Sequence, residues 1–99
     1  MKVLAMLELE GDTEPLLTAT ADLARRVGEP DGLLLRIVAP TDDGMVLFQL
    51  WDSPAARQAN ADDPEHAAAL RACGVLELMR SSRSRAFEDA TLELFTRSA

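Results

Sequence analysis

Residues 47–60 read LFQLWDSPAARQAN. An apolar run ends in the only Trp of the chain, Trp51, and Asp52-Ser53-Pro54 then opens a segment of helical composition. Ser is a favoured helix N-cap because its side-chain oxygen accepts from the free N–H groups of the first turn. Pro suits the first helical position, where a missing N–H costs nothing. The stretch therefore marks a strand-to-helix junction with Trp51 at the seam, and the remaining elements can be placed around it.

Upstream, GLLLRIVAP and GMVLFQLW flank TDDG, with acidic residues and a glycine between two apolar runs. That is hairpin chemistry, and it predicts antiparallel pairing of residues 33–39 with 45–51. Earlier still, residues 2–9, KVLAMLEL, alternate as a strand, with Val3, Ala5, Leu7 and Leu9 on one face. Asp12 or Thr13 can cap the helix that follows Gly11, with Pro15 in its first turn. Leu16, Thr20, Leu23, Ala24 and Val27 form one stripe at three- and four-residue spacing, and Gly28 stands where a helix ends. Downstream, the short helix from Pro54 runs to about Asn60. Asp63-Pro64 repeats the same start signal, and a longer helix follows through Met79 with Gly74 inside it. FEDATLELFTR, residues 87–97, alternates as a last strand.

The predicted order is β-α-β-β-α-β with a broken second helix, over one domain spanning residues 1–99. The expected fold is α+β and ferredoxin-like: a four-stranded antiparallel sheet with the helices on one face and strand 1 beside strand 3 in the middle. The uncovered face should then be polar, because an antiparallel sheet with one wet side alternates cleanly. Instead Leu4, Met6, Leu34, Val38, Met45, Leu47, Phe87 and Phe95 fall opposite the all-apolar faces, or on faces too apolar for water. The expectation is an isologous homodimer closed sheet against sheet through the open face. Glu8, Arg36, Gln49 and Glu93 interrupt that second face. They lie at the sheet margins or pair with one another, or else they line a cavity between sheet and partner that takes a small molecule.

The net charge of −7 weighs against nucleic acid, whose binding rests on clustered Lys and Arg. The one basic run, RSSRSR at 80–85, reads as a solvated helix end or loop, with an anion-binding patch as the lesser alternative. A single cysteine, Cys73, excludes an internal disulfide and a thiolate metal cluster, and reads as a small buried hydrophobe. The first residues, MKVLAMLELEG, are too short and too acidic an apolar run for a signal peptide. No segment approaches the roughly 20 residues of a membrane span, so a cytoplasmic protein is expected, with neither membrane nor nucleic-acid partner.

The run WDSPAARQANADDPEHAAAL resembles the antibiotic-biosynthesis-monooxygenase type of dimeric α/β barrel. In that superfamily strand 3 ends in a Trp, a W-x-S cap opens a short alanine-bearing helix, and a (T/S)-P-H-like step begins the next. Trp51, Ser53, Ala56, Asp63 and Pro64 match that pattern. The resemblance implies a cofactor-free oxygenase, a haem-degrading enzyme, an isomerase or a non-catalytic relative. Where many members have a His in the short helix this chain has Asn60, and at the P-H step it has Glu65, with His66 displaced by one. Haem-degrading relatives carry an Asn in the first strand and a ligating His in the second helix. Leu7 and Leu70 stand there, so no haem is expected.

A cofactor-free oxygenase must deprotonate a phenolic substrate and hold the resulting anion. His66 or Glu8 could be the base, Arg36 or Asn60 could hold the anion, and Gln49 and Trp51 could contribute to the substrate pocket. Each has a plainer reading: His66 as a first-turn surface residue, Asn60 as a helix end, Trp51 as a core plug. With one His and no carboxylate pair on one face, no metal is expected, and no organic cofactor either. Three functions follow from these readings: a dimeric oxygenase or isomerase acting on a small aromatic or polyketide-like compound, a non-catalytic dimeric module binding a small ligand or protein, and a regulatory effector domain.

Overall fold

The computed structural model describes residues 1–96. Its elements are β1 (Lys2–Gly11), α1 (Thr13–Val27), β2 (Leu33–Thr41), β3 (Gly44–Trp51), α2 (Pro54–Asp62), α3 (Pro64–Ala72), α4 (Val75–Leu78) and β4 (Met79–Ala90). The strands order as β2-β3-β1-β4 with every neighbouring pair antiparallel, which is the ferredoxin-like arrangement. Strands 1 and 3 lie in the middle, as right-handed crossovers require.

The local signals act where the sequence puts them. Ser53 Oγ accepts from Ala56 N–H at 3.1 Å and Asp63 Oδ1 from Glu65 N–H at 3.0 Å, so two caps start two successive helices. The β2–β3 hairpin turns through Asp42 and Asp43. It lies so close to β1 that a Cβ on Gly44 would collide with the Leu9 carbonyl oxygen. Gly11 N–H donates to the Asp43 carbonyl at 2.8 Å, tying the end of β1 to that turn. Thr13 Oγ1 donates to the Thr41 carbonyl at 3.0 Å, fixing the start of α1 over the same end of the sheet.

The core gathers at that end. Leu16 and Ala19 of α1, Leu9 of β1, Met45 of β3 and Val75 of α4 form one buried cluster. Leu16 is fully buried, a position worth roughly 2 kcal/mol of transfer free energy. Thr20 is buried beside them and loses nothing, because its hydroxyl donates to the Leu16 carbonyl at 2.8 Å and also approaches Met45 Sδ at 3.2 Å.

Opposed residues of an antiparallel pair share a face, so the register assigns every strand side chain. Leu7 and Leu9 stand opposite Leu47 and Met45, and these pack with the helices. Val38 and Arg36 of β2, opposite Leu47 and Gln49, therefore also face the helices. This corrects the expectation for the second face: Val38, Met45, Leu47, Arg36 and Gln49 are on the helix side. The open face carries Leu4, Met6, Phe48, Ile37 and Phe87, together with Glu8 and Glu10 from β1 and Arg83 and Arg85 from β4. It is still apolar: Ile37 is 49% exposed and Phe87 39%.

Two other expectations are corrected. The longer helix breaks at Gly74, whose φ of 84° is left-handed, and the chain restarts as the one-turn α4. The last strand lies at 79–90 rather than 87–97. The arginine-serine run is therefore the body of β4, with Arg83 opposite Glu8 and Ser84 opposite Leu7. A register shift falls where Asp89 takes a φ of 55°, a bulge after which residues 91–96 leave the ladder. Phe95 and Glu93 thus lie beyond the sheet, and Arg97 falls outside the described residues. Among the described residues no helix is long and apolar enough to cross a membrane.

Candidate functional site

The two ends of α1 meet different surroundings. Leu16, Ala19 and Thr20 in its N-terminal half are buried, whereas Leu23, Ala24 and Val27 are only half-buried and line a cavity between helices and sheet. The cavity is about 690 Å³, within the rough 300–1,000 Å³ span of small-molecule sites. Its floor is β1, β2 and β3, with Leu7 and Leu47 at the centre and Arg36 and Gln49 on the β2 side. Its roof is α1 together with Asn60 of α2 and His66 and Leu70 of α3. Neither α2 nor α3 has a fully buried residue, so both border the space rather than fill it.

Four of the six residues singled out from the sequence, Arg36, Gln49, Asn60 and His66, line this one cavity. Arg36 and Gln49 are cross-strand partners, so their side chains leave the sheet together. Asn60 sits near the end of α2 and His66 in the first turn of α3, one short connection apart. Glu8 lies elsewhere: it is exposed on the opposite face of the sheet, in register with Val46 and Arg83. Trp51 is 1% exposed at the end of β3 and does not line the cavity. The space itself is on the helix side of one chain, not between two sheets, because the parity of β2 and β3 turns Arg36 and Gln49 toward the helices.

The polar atoms of this wall are unusual. Arg36 Nε, His66 Nδ1 and Trp51 Nε1 are buried without a hydrogen-bond partner among the described residues. Buried polar groups are nearly always paired, so each such atom calls for an explanation. Two of the three belong to cavity residues. Arg36 also makes no ion pair among the described residues, and burial lowers its guanidinium below the usual arginine value by penalising the charged form. Elsewhere arginines do find carboxylates: on the outer surface of α1, Arg26 and Arg25 bond Asp22 at 2.8 and 3.2 Å and hold its carboxyl below the ordinary range.

Sequence reasoning missed the helix-side contribution of Leu23, Val27 and Leu70. Their spacing marks core stripes, and only the incomplete seating of α1 shows that the far half of its stripe faces open space. Cys73 is half-buried with Sγ donating to the Leu70 carbonyl at 3.3 Å, a packed thiol away from the cavity wall. No group of acidic, His or Cys side chains with metal-binding placement occurs among the described residues.

No protein-family model matches the chain, and neither does any curated protein sequence. Solved structures do match. A Chloroflexus aurantiacus J-10-fl protein assigned to the antibiotic biosynthesis monooxygenases superposes with a TM-score of 0.71 at 16% identity, covering 99% of this chain and 98% of that one. A variant of SnoaB, a cofactor-independent oxygenase from Streptomyces nogalater, gives 0.68 at 19% identity over 92% and 95%. A dimeric ferredoxin-like protein of unknown function from Jannaschia sp. CCS1 gives 0.67 at 18% identity over 89% and 99%. The chain thus has the fold of the antibiotic-biosynthesis-monooxygenase-type ferredoxin-like proteins, and identities this low speak to fold alone.

Arg36 Nε is buried without a partner among the described residues, and a methionine of similar reach carries no such polar atom. Arg36→Met should therefore raise the stability of the ligand-free protein by about 1 kcal/mol in urea unfolding; a loss of stability would mean that Arg36 has structural partners.

Proposed function

We propose that the helix-side cavity is the reaction site of a small oxygenase or isomerase acting on an aromatic or polyketide-like compound without metal or organic cofactor. The observation that carries this reading is the pairing of an apolar chamber with two buried, unsatisfied polar atoms, Arg36 Nε and His66 Nδ1. SnoaB, described as a cofactor-independent oxygenase, has the same fold.

The polar residues divide by element. On the roof, His66 is the one imidazole and acts as the general base, taking the proton of a phenolic hydroxyl. Asn60, from the adjoining helix, donates its amide to the oxygen that becomes negative. On the floor, Arg36 and Gln49 hold the remote end of the substrate. The electron-rich phenolate then gives two electrons to dioxygen, and one oxygen atom bonds to the ring carbon opposite the hydroxyl. The second oxygen leaves as water with the hydrogen of that carbon and the phenolic proton. A phenol plus dioxygen thus becomes a quinone plus water. A ring bound against the leucines displaces water from them, which leaves the anion less solvated than in bulk and more readily oxidised.

We also propose that the open face is covered by a second copy of the chain. Leu4, Met6 and Phe48 on the two central strands form an apolar centre, flanked by exposed Ile37 on β2 and Phe87 on β4, while Glu8 and Glu10 on β1 and Arg83 and Arg85 on β4 supply charges of both signs that a two-fold partner can meet. The dimeric description of the Jannaschia protein fits this assembly. Sedimentation at micromolar concentration should give a particle twice the 10.8 kDa of the chain, and Arg83→Glu should shift it toward monomer; a well-folded monomer would refute the interface.

The catalytic reading is tested by incubation with 1,8-dihydroxyanthrone in air, following oxygen uptake and quinone absorbance. His66→Gln should lower kcat by about 100-fold or more, the usual span for losing a general base. Ligand binding without turnover in the unmodified protein would make the chain a non-catalytic binding module. Turnover lost in Glu8→Gln but retained in His66→Gln would move the base to the other face.

A further inference from the structure

The reading of the cavity as a ligand site leaves the charge of Arg36 unexplained. A neutral ring can be held by leucines and amides, and nothing in phenol chemistry requires a second, fixed cation on the floor. Yet in a chain of net charge −7, with 17 acidic residues, this guanidinium meets no carboxylate among the described residues. The only acidic residue in the cavity lining is Glu29, which is exposed in the connection between α1 and β2 and makes no ion pair with Arg36. Every other wall residue is apolar or neutral apart from His66, on the roof.

We infer that the ligand carries a permanent carboxylate, which docks on Arg36, and that this resident charge, not only ring shape, selects what the cavity takes. The inference rests on the reading of the cavity as a ligand site. A guanidinium is planar and offers parallel N–H donors that match a carboxylate. Gln49, directly opposite Arg36 across the β2–β3 ladder, adds an amide donor beside it. Leu7 and Leu47 on the floor and Leu23 and Leu70 on the roof line the apolar part of the space beyond. The arrangement fits a polycyclic aromatic acid: acid end toward β2, hydrocarbon body between sheet and α1, and the reactive hydroxyl toward Asn60 and His66. Burial, which disfavours the lone guanidinium, then strengthens its pairing with an incoming anion.

The test compares anthraquinone-2-carboxylate with anthraquinone-2-carboxamide, matched in shape and differing in charge, by calorimetric titration of the full chain at pH 7 and low salt. The carboxylate should bind at least about tenfold more tightly than the carboxamide. Arg36→Gln should abolish that preference by weakening the carboxylate far more than the carboxamide, and Arg36→Lys should retain part of it. Circular dichroism melting of each variant separates loss of the anchor from loss of the fold. Equal binding of both compounds to the unmodified protein overturns the acid-anchor inference and leaves the cavity reading standing. Binding of neither overturns both.

Discussion

A helix layer narrower than its sheet governs this molecule. Four strands present a wide surface, and α1 can seat firmly over only part of it. Leu16 and Ala19 lock its first half onto Leu9 and Met45, and Val75 closes the cluster from the other side. The caps at Ser53 and Asp63 then carry the chain back over the sheet through two helices with no fully buried residue. The β2 side is left uncovered on the helix face, and that uncovered area is the cavity. The fold makes the site by failing to fill its own interior at one place.

The polar groups in that place set stability against function. A domain of about 100 residues has only a few kcal/mol to spare, so leaving Arg36 Nε and His66 Nδ1 buried without partners among the described residues costs stability. The ligand proposed above would satisfy both atoms. On the open face, Ile37, Phe48 and Phe87 are more apolar than a monomer's water-facing sheet needs, which is the ground for the second copy proposed above.

Much of this was readable in the residues, and the losses have specific causes. The hairpin, α1 with its stripe and both Pro-opened helices follow from turn and cap chemistry, which acts over a few residues. β4 did not, because an edge strand takes its conformation from pairing with β1 and tolerates the alternating Arg and Ser that blunt edge-to-edge association. The alternation at Ala90, Leu92 and Leu94 imitated a strand that the chain leaves after the bulge at Asp89. Arg36, Gln49, Asn60 and His66 stood out as polar residues among apolar ones. Their side of the sheet was not readable, since Leu34, Leu35, Ile37 and Val38 make β2 apolar on both faces and a shift of one residue exchanges them. The irregularity between Leu33 and Leu35 is the kind of feature that sets such parity and leaves no mark on composition.

The account therefore turns on which side of the sheet receives a ligand. A crystal structure of the protein grown with 1,8-dihydroxyanthraquinone tests it most directly. The ring system should lie between α1 and the β2–β3 floor, with an oxygen in hydrogen-bond reach of Arg36 or His66. Density confined to the open face, with the helix-side space closed by Leu23 against Leu47, would contradict it.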